Sequence, residues 1–161
     1  MNSENTTYVL DPADFLAAYN RRIVEDGAAE WNEPIVADFR ANRGPAGFLA
    51  GAPVLLLTTI GARTGQPRTA PLVYTRDGDR YVVLASRAGA PVNPGWYHNV
   101  VANSRVTVDL GEETFQAVCS FAEGEERDRL FANHVAQLRN MGEYQSQSQR
   151  PFPVVVLERV S

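Results

Sequence analysis

The amino-acid sequence predicts an α+β domain in which a small antiparallel barrel of about six strands is wrapped by several helices. Three observations predict this class. Short β-forming runs are separated by turn-forming residues, and the central strands follow one another without crossover helices. No Gly-x-Gly-x-x-Gly turn joins a strand to a helix, which argues against a doubly wound dinucleotide-binding sheet.

The N-terminal part of the chain is predicted to form an arm and two helices. Residues 1–10 lack periodicity and are expected to be a flexible arm, so that a single domain spans residues 11–161. A capping aspartate and a first-turn proline begin a helix at Asp11 that lasts until Gly27. A second helical pattern begins at Asn32-Glu33-Pro34 and closes near Asn42-Arg43-Gly44.

The first predicted helix carries an apolar stripe of Phe15, Tyr19 and Ile23. This stripe fits core packing or weak peripheral contact with a membrane, and we favour packing because the polar face mixes charges of both signs. No apolar run approaches the roughly 18 residues that span a bilayer, so stable membrane insertion is not expected.

From Pro53 onward the periodicity changes from helical to strand-like. The predicted strands are Val54 to Ile60, Arg68 to Thr75, Arg80 to Ser86, Arg105 to Leu110, Thr114 to Phe121 and Pro153 to Leu157. Asp77-Gly78 and Gly111-Glu112-Glu113 mark two hairpin turns. Trp96 to Ala102 and Glu125 to Leu138 are predicted helices.

Composition points to a cytoplasmic protein with a small anionic ligand. The single cysteine, Cys119, cannot form an intrachain disulfide, which is typical of a reducing compartment. The net charge of −4 argues against nucleic-acid binding. Between Gly61 and Arg105, however, six arginines and two aspartates give 6 − 2 = +4, so the remainder carries −4 − 4 = −8. A basic middle in an acidic chain favours a compact anion.

The segment from Thr58 to Leu72 is the most informative. It joins a strand end to a loop with two glycines, a hydroxyl group and two arginines, which are the components of an anion-binding nest. A plain hairpin turn with solvated arginines is the alternative. Further on, Asn93 to Asn99 contains aromatic groups that fit either the wall of a ring-binding pocket or, for Trp96, ordinary core.

Taken together, several ordered motifs resemble the deazaflavin-dependent nitroreductase family, the actinobacterial split-barrel reductases that use coenzyme F420 and include quinone reductases. The resemblance runs from about Val54 to the end of the chain. The motifs that carry it are Leu56 to Arg68, Ala85 to Ala90, Asn93 to Asn99, Tyr144-Gln145 and Pro153 to Leu157. It implies a split β-barrel of the FMN-binding-like type and reduced F420 as the coenzyme.

The resemblance also implies roles for individual residues. Arg63, Thr64 and Arg68, with the Ala62 amide, would hold the phosphate and acidic tail of the coenzyme. The stretch from Leu84 to Arg87 and the backbone near Ala70-Pro71 would contact its ring, and Gly95 to Asn99 would close the pocket. The implied coenzyme-binding residues are Ala62, Arg63, Thr64, Arg68, Ala70, Pro71, Leu84, Ala85, Ser86, Arg87, Gly95, Trp96 and Asn99.

On the substrate side, the resemblance implies transfer of a hydride to a small organic acceptor such as a quinone, an enone or a nitroaromatic. Ser86 would donate a hydrogen bond to the acceptor, and the proton would come from Tyr144 or from water. Leu138, Met141 and Tyr144 stand where acceptor-binding residues are expected, but this chain lacks the several tyrosines of quinone-reducing and nitroimidazole-activating members. The oligomeric state is expected to be monomer or homodimer.

Two other functions fit the same residues. One is an FMN-dependent oxidase or reductase of the related barrel class, and the other is a non-catalytic deazaflavin- or lipid-binding module. A metal site is not expected, because His98 and His134 are far apart and lack partners at ligand spacing. Cys119, in the middle of a predicted strand, is expected in the core.

Overall fold

One antiparallel sheet of seven strands forms the body of the protein. The computed structural model describes residues 28–46, 50–51, 53–85, 94–137 and 151–160, with side chains of the first helix described from Glu33 onward. The predicted arm and the predicted helix from Asp11 to Gly27 lie outside these residues. The sheet and its accompanying helices confirm the α+β class.

The described elements follow the predicted order closely. They are α1 (Ala28–Asn42), β1 (Val54–Ile60), β2 (Pro67–Val73), β3 (Thr75–Asp77), β4 (Arg80–Leu84), α2 (Gly95–Ala102), β5 (Arg105–Asp109), β6 (Thr114–Phe121), α3 (Gly124–Gln137) and β7 (Val154–Arg159). Strand β1 has its predicted bounds. Helix α1 begins before the predicted Asn32, and Pro34 lies inside it. Packing of Ile35 and Phe39 on the sheet offsets the backbone hydrogen bond that a proline removes.

The two edges of the sheet are joined by a single residue. The strand order is β2-β1-β5-β6-β7-β4-β3, so that β2 and β3 are the edge strands, yet only Tyr74 separates them in the chain. The sheet must therefore curl until its edges meet. The prediction of one strand from Arg68 to Thr75 was wrong at this point, because period-two alternation does not reveal that a strand leaves one edge and joins the other.

Alternate residues of the curled sheet face two cores. The inner core gathers side chains from β1, β4, β5, β6 and β7, together with Trp96 and Val100 of α2. Cys119 lies in this inner core, as predicted. Rings of Tyr74 and Tyr81 meet edge to face at 5.5 Å between centroids, and Tyr81 lies 5.7 Å from Phe115. The inner face is thus the interior of the barrel.

A second core lies outside the barrel, between the sheet and two helices. It joins Ile35 and Phe39 of α1 and Leu130 of α3 to outward residues of β1, β2, β4 and β7. Because those strands flank the junction at Tyr74, the helices cover the outside of the sheet where its edges meet. Among the described helices, none is long and apolar enough to cross a membrane.

Both predicted hairpin turns are present. Asp77 pairs with Arg80, so Gly78 and Asp79 form the two-residue turn, and Gly78 has a φ of 63°. Arg80 and Arg129 of α3 both bond to the Asp77 carboxylate, and these hydrogen bonds hold its pKa well below the usual range. The hairpin is thereby tied to α3.

The β5–β6 turn requires glycine at its first residue. Gly111 has a φ of 98°, and a Cβ there would lie 2.3 Å from the Arg43 carbonyl oxygen. The Gly44 amide, which donates to the Phe39 carbonyl at 2.9 Å, caps the end of α1 at the same place. This close approach fixes the turn against α1.

His134 is the buried histidine of α3, and it gives the fold a specific pH dependence. Its Nδ1 lies 2.9 Å from the Thr75 hydroxyl, and burial lowers its pKa from 6.5 to about 4. The folded state therefore favours the neutral ring. The stabilisation is complete above pH 6.5 and is lost as the pH falls toward 4, by about 3 kcal/mol in total.

We expect the free energy of unfolding to fall across this pH window, and His134→Gln to reduce the slope because the glutamine does not titrate. Urea denaturation at several pH values measures both. The matched control is His98→Gln, at the exposed histidine of α2, which should keep the wild-type slope. Equal slopes for wild type and His134→Gln would contradict this prediction.

Candidate functional site

The loop between β1 and β2 is closed by its own backbone. The Gly61 amide donates to the Gln66 carbonyl at 2.8 Å, and the Gly65 amide donates to the Gly61 carbonyl at 2.9 Å. The Thr64 hydroxyl accepts from the Gln66 amide at 3.2 Å. Gly65 has a φ of 72°, which glycine adopts without strain. These bonds hold the loop in one compact shape.

The tip of this loop is left with unused donors. The Arg63 and Thr64 amides have no acceptor among the described residues, and both side chains are exposed. No described carboxylate lies within 4.0 Å of the Arg63 or Arg68 guanidinium group. Two arginines without a described acidic partner, beside two free amides, fit a phosphate or a carboxylate-rich tail.

Arg68 stands on the side of β2 that faces the barrel interior. It pairs with Thr59, which is fully buried on the same face as Leu55 and Leu57. Ala70 pairs with Leu57 and packs against the inner core, whereas Pro71 faces outward and is buried. Arg68 therefore belongs to the rim of the barrel rather than to a solvated turn on its outside.

Asn99 of α2 holds this loop by both functions of its side-chain amide. Its Oδ1 accepts from the Ala62 amide at 2.9 Å, and its Nδ2 donates to the Thr59 hydroxyl at 3.0 Å. The Ala62 amide, which the resemblance assigned to the coenzyme phosphate, is thus bonded to Asn99 in this structure. The role of Thr59 was not predicted from the sequence, although its two-residue spacing from Leu57 indicates an inward hydroxyl that requires a partner.

Helix α2 closes the same end of the barrel. Trp96 is only 9% exposed and lies in the inner core beside Val100, which confirms the core interpretation of this residue. Tyr97 contacts Phe121 at the end of β6, with 5.7 Å between ring centroids. Gly95 is exposed at the start of the helix. Helix α2 therefore connects the β1–β2 loop to the end of β6.

The end of β4 lies at this end of the sheet as well. Because every pairing is antiparallel, alternate strands in the sheet point the same way. The strands β1, β6 and β4 are such alternate strands, so their C-terminal ends lie at the same end of the sheet. Leu84 is buried in the outer core and Ala85 in the inner core. The chain thus brings the predicted residues from Ala62 to Arg68, Leu84 to Ala85 and Gly95 to Asn99 to one end of the barrel.

Several predicted site residues lie outside the described residues. They are Ser86, Arg87, Leu138, Met141 and Tyr144. Among the described residues, no group of three or more metal-ligating side chains is present. Burial raises the pKa of the Cys119 thiol to about 12, so it stays protonated at neutral pH.

The closed loop predicts a specific sensitivity at Gly61. A Cβ there would lie 2.8 Å from the Thr64 hydroxyl and 3.2 Å from the Gln66 carbonyl oxygen, so Thr64 would have to rotate away from the Gln66 amide and the Gln66 backbone would have to shift. Gly61→Ala should lower the free energy of unfolding by about 1–3 kcal/mol in urea denaturation. Gly95→Ala is the matched control, since a Cβ there meets nothing within 4 Å. Wild-type stability of Gly61→Ala would refute the closed loop.

Known proteins are similar to this one in sequence and in architecture. A family model of F420H(2)-dependent quinone reductases matches residues 32–159. An F420H(2)-dependent quinone reductase of Mycobacterium tuberculosis is 41% identical over 128 residues, covering 76% of this chain and 86% of that protein.

Solved structures agree. An F420-H2 dependent reductase, FDR-A, superposes with a TM-score of 0.62 at 36% identity, covering 66% of this chain and 94% of its own. A structure described as a domain-swapped dimer has a TM-score of 0.63 at 30% identity, covering 91% of this chain and 99% of its own. These neighbours confirm the predicted split barrel. By its sequence and its fold, the chain belongs to the F420H(2)-dependent quinone reductase family.

Proposed function

We propose that this protein binds reduced coenzyme F420 at the end of the barrel formed by the β1–β2 loop, helix α2 and the end of β4, and reduces a quinone with it. The observation that carries the proposal is the set of donors that have no partner among the described residues: two amides and Arg63 at the loop tip, and Arg68 on the adjoining rim. Family membership supports F420 over the FMN alternative. Enones and nitroaromatics are further acceptors to be tested.

The donor set fits the charged half of the coenzyme. F420 carries a phosphate and an acidic tail, and guanidinium groups hold such oxygens through charge-assisted pairs. Arg63 and Arg68 are exposed and lack a described acidic partner, so binding an anion breaks no described ion pair. The basic stretch from Gly61 to Arg105 also attracts such a ligand.

When bound, reduced F420 supplies a hydride from C5 of its deazaflavin ring to an electron-poor acceptor. The task of the protein is then placement, because the reacting atoms must approach to about 3–3.5 Å. We assign this placement to the end of β4, where Leu84 and Ala85 are buried, and to α2 above the rim. Ser86 would donate a hydrogen bond to the acceptor oxygen, and Tyr144 would supply the proton.

We also propose a cellular compartment and an oligomeric state. A reducing cytoplasm suits a protein whose single cysteine is free and buried. Quinone would arrive from the membrane by weak peripheral contact at most. The domain-swapped dimer among the similar structures supports the homodimer over the monomer.

Charge at the loop should dominate coenzyme affinity. Arg68→Ala removes charge-assisted bonds worth about 1.5–3 kcal/mol, so the dissociation constant of F420 should rise roughly 10-fold or more. Fluorescence titration measures it. Arg40→Ala, an exposed arginine of α1, removes the same charge elsewhere and should bind normally. Equal affinities of the two variants would mean that Arg68 does not contact the coenzyme.

Ser86 should act on turnover more than on binding. Loss of one donor to a developing oxyanion can cost about 2.7–4 kcal/mol, and we expect no more than the lower value because water can replace a serine hydroxyl. Ser86→Ala should therefore slow single-turnover oxidation of reduced F420 by roughly 10- to 100-fold, in stopped-flow absorbance with a quinone. Normal turnover with weakened F420 binding would instead assign Ser86 to the coenzyme.

A further inference from the structure

Both polar atoms of the Asn99 side chain form hydrogen bonds within the protein. Its oxygen accepts from the Ala62 amide at 2.9 Å and its nitrogen donates to the Thr59 hydroxyl at 3.0 Å. These two bonds join three separate pieces of the chain, namely helix α2, the β1–β2 loop and the end of β1. An amide side chain whose oxygen and nitrogen both have protein partners is better suited to hold structure than to contact a ligand.

Thr59 has no access to a ligand, since its exposed fraction is 0%. Its hydroxyl lies on the inner face of β1, where a polar group without a partner would be costly. The Asn99 amide satisfies that hydroxyl and so fixes its own position on the barrel. Thr59 is therefore the anchor, and Asn99 extends from it to the loop.

The bonds inside the β1–β2 loop set its shape but not its placement on the barrel. Among the described residues, one hydrogen bond to a side chain ties loop residues 61–66 to another element. It joins the Ala62 amide to Asn99. Ala62 directly precedes Arg63 and Thr64, whose amides have no acceptor among the described residues. A change at Asn99 thus alters the direction in which those donors point.

We propose that Asn99 is a positioning residue that, anchored on buried Thr59, holds the Ala62 amide and so aims the Arg63–Thr64 tip at the anionic part of the coenzyme. This inference rests on the proposed function. The Ala62 amide then donates to Asn99 and does not bind the phosphate. Helix α2 and the loop form one unit at the rim, so a change in how α2 is seated changes coenzyme affinity.

The first test needs no coenzyme. Amide hydrogen exchange of the purified protein should show the Ala62 amide exchanging about 10-fold faster in Asn99→Ala than in wild type. Asn133→Ala is the matched control, because that asparagine lies on α3 and accepts a bond from Gln137 at 3.2 Å. It should leave Ala62 exchange unchanged. Equal Ala62 exchange in Asn99→Ala and wild type would overturn the proposal that Asn99 holds the Ala62 amide.

The second test is a double-mutant cycle read by F420 titration. Thr59→Val preserves the shape of the buried side chain but removes the anchor. It should weaken F420 binding about 5- to 10-fold, as should Asn99→Ala, and the double variant should be no weaker than Asn99→Ala alone. Thr59→Ser, which restores the hydroxyl, should recover most of the affinity. Thermal unfolding of each variant checks that it is folded.

Two outcomes would overturn the coupling. Normal F420 affinity in Thr59→Val with weak binding in Asn99→Ala would mean that Asn99 contacts the coenzyme directly. Additive losses in the double variant would mean that the two residues act separately. A wild-type protein that binds no F420 would contradict the proposed function instead. In that case, faster Ala62 exchange in Asn99→Ala would still establish that Asn99 holds the Ala62 amide.

Discussion

The passage of the chain from β2 to β3 through Tyr74 is the constraint on which the rest of the structure depends. The two strands are the edges of the sheet, and one residue between them forces those edges together. Curling turns one face inward, where Tyr74, Tyr81 and Phe115 pack in sequence. It also creates an outer junction that α1 and α3 cover with a second core. Both cores therefore result from the closure of the sheet at Tyr74.

The same closure assembles the functional end. Because β1, β4 and β6 run in one direction, their ends gather at one rim, and α2 bridges them with Trp96 in the core and Asn99 at the loop. The rim then presents cationic groups that have no described acidic partner. A barrel that presents arginines and donors without a described partner at one end suits a coenzyme that performs the chemistry itself, since the protein need only hold and orient it.

Local chemistry made much of this fold predictable from sequence. The bounds of β1 and the two hairpins follow from alternation and from glycine-containing turns, which depend on neighbouring residues. The junction at Tyr74 was not predictable, because residues 68–75 read as one alternating strand. The bond between Asn99 and Thr59 joins residues 40 positions apart, and no local pattern encodes it. The motifs around Arg63 and Arg68 predicted an anion site, but they did not show which backbone amides are already hydrogen-bonded within the protein.

Anaerobic stopped-flow mixing of reduced F420 with menaquinone, in the presence of this protein, tests the central claim most directly. We predict protein-dependent loss of the reduced-coenzyme absorbance, with one quinol formed for each F420 oxidised, and no acceleration by the protein over the protein-free rate when reduced FMN replaces F420. A rate equal to that of the protein-free mixture, or turnover that proceeds with FMN and not with F420, would contradict the claim.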